Sequence, residues 1–210
     1  MSRRIDYYFT LSSPWSYIGH RPFMDMTGRY GVSPVYRPVA LNEVFEETGG
    51  LPLAKRHPVR QAYRMVELQR WRERRGLAFH LRPKCWPFDA DPVNRAVLAI
   101  AAAGGDPGPF VQSAFAATWE QDADLADPHT LRRLLSASGH DGEAIIASAA
   151  TTEAEAAYRQ NRLEALAAGV FGSPSYVLDG EVFWGQDRLD LLEDALRSGR
   201  PAYSATPAGR

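Results

Sequence analysis

Ile5-Asp6-Tyr7-Tyr8-Phe9-Thr10-Leu11-Ser12-Ser13-Pro14-Trp15-Ser16-Tyr17 reads as a strand that runs directly into a helix. Ile5, Tyr7 and Phe9 share one face and Tyr8 takes the other, so the strand is expected to be buried on both sides. Ser13 followed by Pro14 is a helix-start signal, with serine at the cap and proline at the first helical position. A hydroxyl is thereby set where backbone N–H groups and the positive end of a helix dipole converge, a place suited to an anion or a thiolate. The plain alternative is an ordinary helix cap.

The pattern extends outward from this stretch. Trp15, Ile18, Pro22, Met26 and Tyr30 fall near helical spacing, with Pro22 expected to kink or split the helix and Gly31 to close it. Residues 32–39 read as a second strand, pushed towards a sheet edge by Pro34 and Pro38. Strand, helix, strand is the parallel crossover unit. Residues 41–168 then read as helical throughout. A short helix ends at Gly49-Gly50, a long one spans 59–75, and Asp91-Pro92, Asp106-Pro107 and Asp127-Pro128 each place an acidic cap before a first-turn proline. Asp141 opens a further helix, and Thr152-Glu153-Ala154-Glu155 is a capping box for one ending near Ala168-Gly169. After Gly169 the period changes to that of strands. Residues 175–178 and 181–184 flank Asp179-Gly180, a two-residue hairpin signal, and a helix over 188–198 follows, ended by Gly199 and Pro201. This order predicts an α/β fold: a thioredoxin-like sheet built from residues 1–40 and 169–200, an inserted all-helical domain over 41–168, and a loose tail at 201–210.

Composition narrows the function classes. The 210 residues carry a formal net charge of -1, which gives no global reason to expect a nucleic acid or an anionic membrane as partner. No signal-like or bilayer-length apolar run is present, so the expected location is cytoplasmic, with no membrane partner. The single cysteine, Cys85, excludes an intramolecular disulfide or a two-cysteine redox centre and reads as a packing residue among aromatics. The five histidines show no metal-ligand spacing, so no metal is expected.

Three stretches carry a family resemblance. They are Ser12-Ser13-Pro14-Trp15-Ser16-Tyr17, Phe171-Gly172-Ser173-Pro174-Ser175, and Phe183-Trp184-Gly185-Gln186-Asp187-Arg188-Leu189. Together they resemble the 2-hydroxychromene-2-carboxylate isomerases, relatives of kappa-class glutathione transferases and of DsbA-like thioredoxin-fold proteins. Residues 63–71 and 83–94 resemble the same family. DsbA-like oxidoreductases carry Cys-x-x-Cys where this chain has Ser13 and Ser16, so dithiol chemistry is not available here. The resemblance implies that bound glutathione supplies the sulfur instead. It implies that Ser13 holds that sulfur as thiolate, that Ser173-Pro174 is a cis bond whose backbone pairs with the glutathione cysteine, and that Gln186 and Asp187 bind the γ-glutamyl end.

The implied activity is a glutathione-dependent interconversion of 2-hydroxychromene-2-carboxylate and trans-o-hydroxybenzylidenepyruvate, a step of aromatic catabolism, in a homodimer. The alternatives are a kappa-like glutathione transferase and a non-catalytic thioredoxin-fold binding protein. For the small aromatic carboxylate substrate the candidates are Arg60 and Tyr63, one turn apart on the long helix, with Trp15 and Trp86 as aromatic walls. The basic run over 55–84 otherwise reads as a solvated helix face. One departure bears on substrate: many relatives have asparagine after a threonine-glycine pair, where this chain has Gly50.

Overall fold

β1 (Arg4–Phe9) is covered along one face but only in part on the other. There Tyr8 is buried while Arg4 is exposed and Asp6 is half-buried and paired with Arg37 at 3.0 Å, so the expectation of a strand buried on both sides holds only at its C-terminal end. The structure, a computed structural model, describes residues 3–205; of the expected tail, residues 206–210 lie outside it, as do Met1 and Ser2. Ile5, Tyr7 and Phe9 are wholly buried in the larger core, while Tyr8 joins a smaller one with Val39, Val44, Ala165, Val170 and Val177. The four-stranded sheet has the order β2-β1-β3-β4. β2 (Ser33–Pro38) runs parallel to β1, pairing Tyr36 with Tyr7, and α1 (Pro14–Tyr30) crosses between them. As an edge strand, β2 can hold Pro34 and Pro38. β3 (Ser175–Leu178) lies antiparallel on the other side of β1, and β4 (Glu181–Trp184) follows through Asp179-Gly180. Both turn residues have positive φ, 52° and 87°, as a two-residue hairpin matched to strand twist requires.

Seven helices fill the interval between β2 and β3: α2 (Leu41–Thr48), α3 (Pro58–Arg74), α4 (Asp91–Ala102), α5 (Gly108–Glu120), α6 (Pro128–Ala137), α7 (Gly142–Ala149) and α8 (Thr152–Ala167). After β4 a 3₁₀ turn over Gln186–Arg188 leads into α9 (Leu189–Ser198). The larger core is continuous from the sheet into these helices. Phe9 and Tyr17 both reach Phe115 of α5, at 6.1 and 6.2 Å between ring centroids. No described helix is long and apolar enough to cross a membrane.

Several local expectations are corrected. α1 is one unbroken helix with Pro22 inside it. Ala90 and Pro107, rather than Asp91 and Asp106, occupy the caps of α4 and α5, because those helices begin one residue away from where the Asp-Pro pairs suggest. Asp127 accepts the His129 and Thr130 amides from the cap position, and Asp106, although one residue before its cap, accepts the Gly108 N–H at 2.9 Å. Thr151, not Thr152, caps α8. The final helix is preceded by the 3₁₀ turn rather than starting at Arg188. Of the apolar positions along α3 only Leu68 is buried, so this helix shows much of its surface to solvent.

Candidate active site

Ser13 sits at the N-cap of α1 in extended conformation and is 6% exposed. Its Oγ accepts the Ser16 N–H at 3.2 Å and its carbonyl accepts the Tyr17 N–H at 3.1 Å. Pro14 has no N–H, so the Trp15 N–H is the first-turn donor left without a partner among the described residues. No acidic side chain stands in the first turn to neutralise the positive end of the dipole. The Ser13 hydroxyl accepts as a cap, and its own proton remains available for donation.

The second serine of the pair ties the helix start to the loop before β3. Ser16 Oγ lies 2.8 Å from Ser173 Oγ, and Ser173 Oγ accepts the Thr10 N–H at 3.2 Å. The Ser173–Pro174 peptide is cis, the geometry the resemblance implies; Trp86–Pro87 is also cis, which the sequence reading did not anticipate. Neither the N–H nor the C=O of Ser173 has a partner among the described residues. The Pro174 carbonyl accepts the Gly185 N–H at 2.9 Å, which brings the Gln186–Arg188 turn alongside. Asp187 is exposed and paired with Arg188 at 2.5 Å. Gln186 is 3% exposed, and its Oε1 accepts from Arg75 Nη2 at 3.4 Å. Gly19 permits this packing: a Cβ there would stand 2.7 Å from Gln186 Cβ and 2.8 Å from the Tyr176 hydroxyl. Hydrogen bonds and packing thus join Ser13, Ser16, Ser173, Pro174 and the Gln186–Asp187 turn into one cluster, with Ser16 wholly buried and Asp187 exposed. Among the described residues no group of three or more His, Cys, Asp or Glu could hold a metal ion.

Asn94, which the sequence reading passed over, locks the turn from beneath. It is wholly buried in α4 among Val93, Ala96 and Val97. Its Oδ1 accepts the Leu11 N–H at 3.1 Å, while Nδ2 donates to Thr10 Oγ1 at 3.1 Å and to the Tyr158 hydroxyl at 2.9 Å. Tyr158 in turn donates to Asp91 Oδ1 at 3.0 Å, and Thr10 Oγ1 lies 3.2 Å from Ser12 Oγ. Asp91 therefore orients Tyr158 instead of capping its own helix. Burial and the Asp91 carboxylate hold the Tyr158 phenol protonated, far above its ordinary range. A lone amide in an otherwise apolar helix face was the signal available in the sequence.

The substrate candidates divide. The Trp86 indole N–H donates to the Ser12 carbonyl at 2.8 Å, so Trp86 abuts the serine turn. Trp15 is half-buried against the main core. Arg60 is exposed, and Tyr63 is 59% exposed with Arg70 5.9 Å above its ring. Neither meets the turn through a hydrogen bond or a ring contact among the described residues. Arg64, one position beyond Tyr63, lies 5.3 Å from the Trp86 ring centroid. Gly50 packs against the Phe45 ring, which a Cβ would meet at 2.3 Å, so a side chain at that position requires Phe45 to move.

Comparison with known proteins follows the same lines. A family model for the DSBA-like thioredoxin domain matches residues 4–197. The 2-hydroxychromene-2-carboxylate isomerase of Sphingobium xenophagum is 31% identical over 198 residues, 93% of this chain and 99% of that protein. The protein of that name from Pseudomonas sp. (strain C18) is 31% identical over 199 residues, 91% of this chain and 89% of that one. A solved structure of a 2-hydroxychromene-2-carboxylate isomerase matches with a TM-score of 0.82 at 25% identity, covering 93% of this chain and 95% of that chain.

Proposed function

The chain belongs to the 2-hydroxychromene-2-carboxylate isomerase family of DSBA-like thioredoxin-domain proteins, and from this we propose that it is a glutathione-dependent isomerase of a small aromatic 2-oxo acid and its cyclic hemiketal. The observation that carries glutathione dependence is the pairing of two features. A helix N-terminus is set up to stabilise sulfur but has serines at both thiol positions, and the adjoining Ser173 backbone is free to pair with an extended peptide. When bound, glutathione would supply the sulfur nucleophile whose reversible addition lets a conjugated double bond rotate.

The chain's own residues do the rest. A free thiol has a pKa of about 8.5, so most of it is protonated at neutral pH. The Ser13 proton, the Trp15 N–H and the uncompensated dipole of α1 all favour the ionised form. The N–H and C=O of Ser173 would pair with the cysteinyl backbone as a short added strand. Asp187 offers a carboxylate for the α-ammonium, in exchange for its present partner Arg188. Ser16 and Thr10 hold Ser173 in position through its hydroxyl. The indole of Trp86 supplies a flat wall beside the turn.

The test is an ultraviolet time course with protein, substrate and glutathione. Interconversion that requires glutathione and leaves free thiol constant is expected. Stoichiometric loss of thiol would replace this reading with a transferase. Absence of any glutathione-dependent change would remove it.

A further inference from the structure

The start of α3 collects cations that no carboxylate answers. Lys55, Arg56, Arg60 and Arg64 make no ion pair among the described residues, whereas Arg70, further along, pairs with Glu67 at 2.5 Å. Arg56 is held locally: its Nε donates to the Leu51 carbonyl at 2.7 Å, and its guanidinium lies 5.8 Å from the Phe45 ring centroid. Arg60 is exposed. Arg64 differs from both. It is half-buried, rests on the Trp86 ring, and among the described residues has as its only hydrogen-bond contact the Met65 sulfur, 3.9 Å from Nη1.

The position matters because Trp86 is itself bonded to the Ser12 carbonyl. The Arg64 guanidinium is one indole away from the turn that carries Ser13. Burial, and then the charge of Arg56, pull the Arg64 pKa down to about 10. The group stays charged at neutral pH, and the same burial and repulsion make that charge costly until an anion arrives. A guanidinium offers a planar fork of donors that fits a carboxylate, and the indole beneath it offers a face for a flat frame.

We propose that Arg64, laid on Trp86 and backed by Arg56, forms a carboxylate-binding site beside the Ser13 turn. The ligand class is a carboxylate on a flat conjugated or aryl frame, or the glycyl carboxylate of glutathione. Its use in turnover rests on the isomerase reading above; the site itself does not. Arg60 is the exposed comparator on the preceding turn.

Isothermal titration of the full chain distinguishes the sources. The probes are trans-cinnamate and its amide, and glutathione and its glycinamide form. The proteins are wild type, Arg64→Gln, Arg64→Lys and Arg60→Gln. Loss of a charge-assisted hydrogen bond predicts that Arg64→Gln raises the Kd of one acid by about 10- to 100-fold and changes its amide by less than about 2-fold. Arg64→Lys falls between, and Arg60→Gln stays near wild type. An effect on cinnamate identifies the substrate-type acid, and an effect on glutathione identifies the glycyl carboxylate; either supports the site. Unchanged affinity for both acids in an Arg64→Gln protein that melts with wild type overturns it, and so does failure of wild type to bind either acid. These are binding readouts, so a failed interconversion assay would fall on the proposed function and leave this result standing.

Discussion

Replacing Asn94 by alanine tests whether the serine turn is positioned from beneath. The side chain is fully buried and makes three hydrogen bonds. Its loss leaves the Leu11 N–H without a partner in a residue that is 0% exposed. That orphan costs about 1–3 kcal/mol. The other two partners fare better: Thr10 Oγ1 keeps Ser12 Oγ at 3.2 Å, and Tyr158 keeps Asp91 at 3.0 Å. Their weakened bonds add about 1–2 kcal/mol together. The sum, about 2–5 kcal/mol, lowers the melting temperature by roughly 5–15 °C for a chain of this size. A merely structural asparagine would do only that. A positioning one also disorders Thr10-Leu11-Ser12, and so raises the Kd for glutathione in protein still folded at the assay temperature. Asparagine to aspartate sharpens the distinction, since it keeps an acceptor for the Leu11 N–H and loses both donations, with a second carboxylate close to Asp91. Thermal melts and calorimetric titration of glutathione read both effects. A melting temperature within about 2 °C of wild type refutes the energetics, and a lowered one with unchanged glutathione affinity refutes the positioning role.

Ser13→Ala removes the cap acceptor for the Ser16 N–H at a cost of about 1 kcal/mol. It should also raise the pKa of bound glutathione, read as a shift of the thiolate absorbance titration to higher pH; an unmoved titration would separate Ser13 from the sulfur. Gly19→Ala drives a methyl to 2.7 Å from Gln186 Cβ, so about 1–3 kcal/mol of overpacking and a weakened glutathione affinity are expected in denaturant and binding titrations. His20 is 2% exposed and its pKa is lowered from 6.5 to about 4 by burial. As a base with a depressed folded pKa, it has no effect on stability above pH 6.5. Below that, the unfolded state takes up a proton that the folded state refuses, so stability falls progressively until pH 4. At pH 4.5 this contribution is about 2.5 kcal/mol. His20→Phe, facing Tyr7 and Phe115, should flatten that part of the difference between urea midpoints at pH 7 and pH 4.5; an equal drop in both proteins would refute it.

The elements with local signals were legible. Period-2 apolarity marked β1, Asp179-Gly180 marked the hairpin, and Ser13-Pro14 marked the start of α1. Each follows from backbone preferences that act within a few residues. The caps at Asp91, Asp106 and Thr152 were misplaced because neighbouring residues offer nearly equivalent starts. Packing chooses among them, as when Tyr158 claims the Asp91 carboxylate.

The sequence by itself determined which residue types the proposed chemistry has to work with: two serines where a redox pair would stand, one cysteine elsewhere, and a Ser-Pro bond before the hairpin. Those are matters of residue identity and order. Only the tertiary structure decided which side chains surround the serine turn. Asn94 lies 83 positions from Leu11 and Trp86 lies 74 from Ser12, and no local pattern encodes such pairings. On α3, helical spacing alone cannot say whether Arg60, Tyr63 or Arg64 turns inward, because that depends on where the segment carrying Trp86 returns across the helix. The return sets Arg64 on the indole and leaves Arg60 in water.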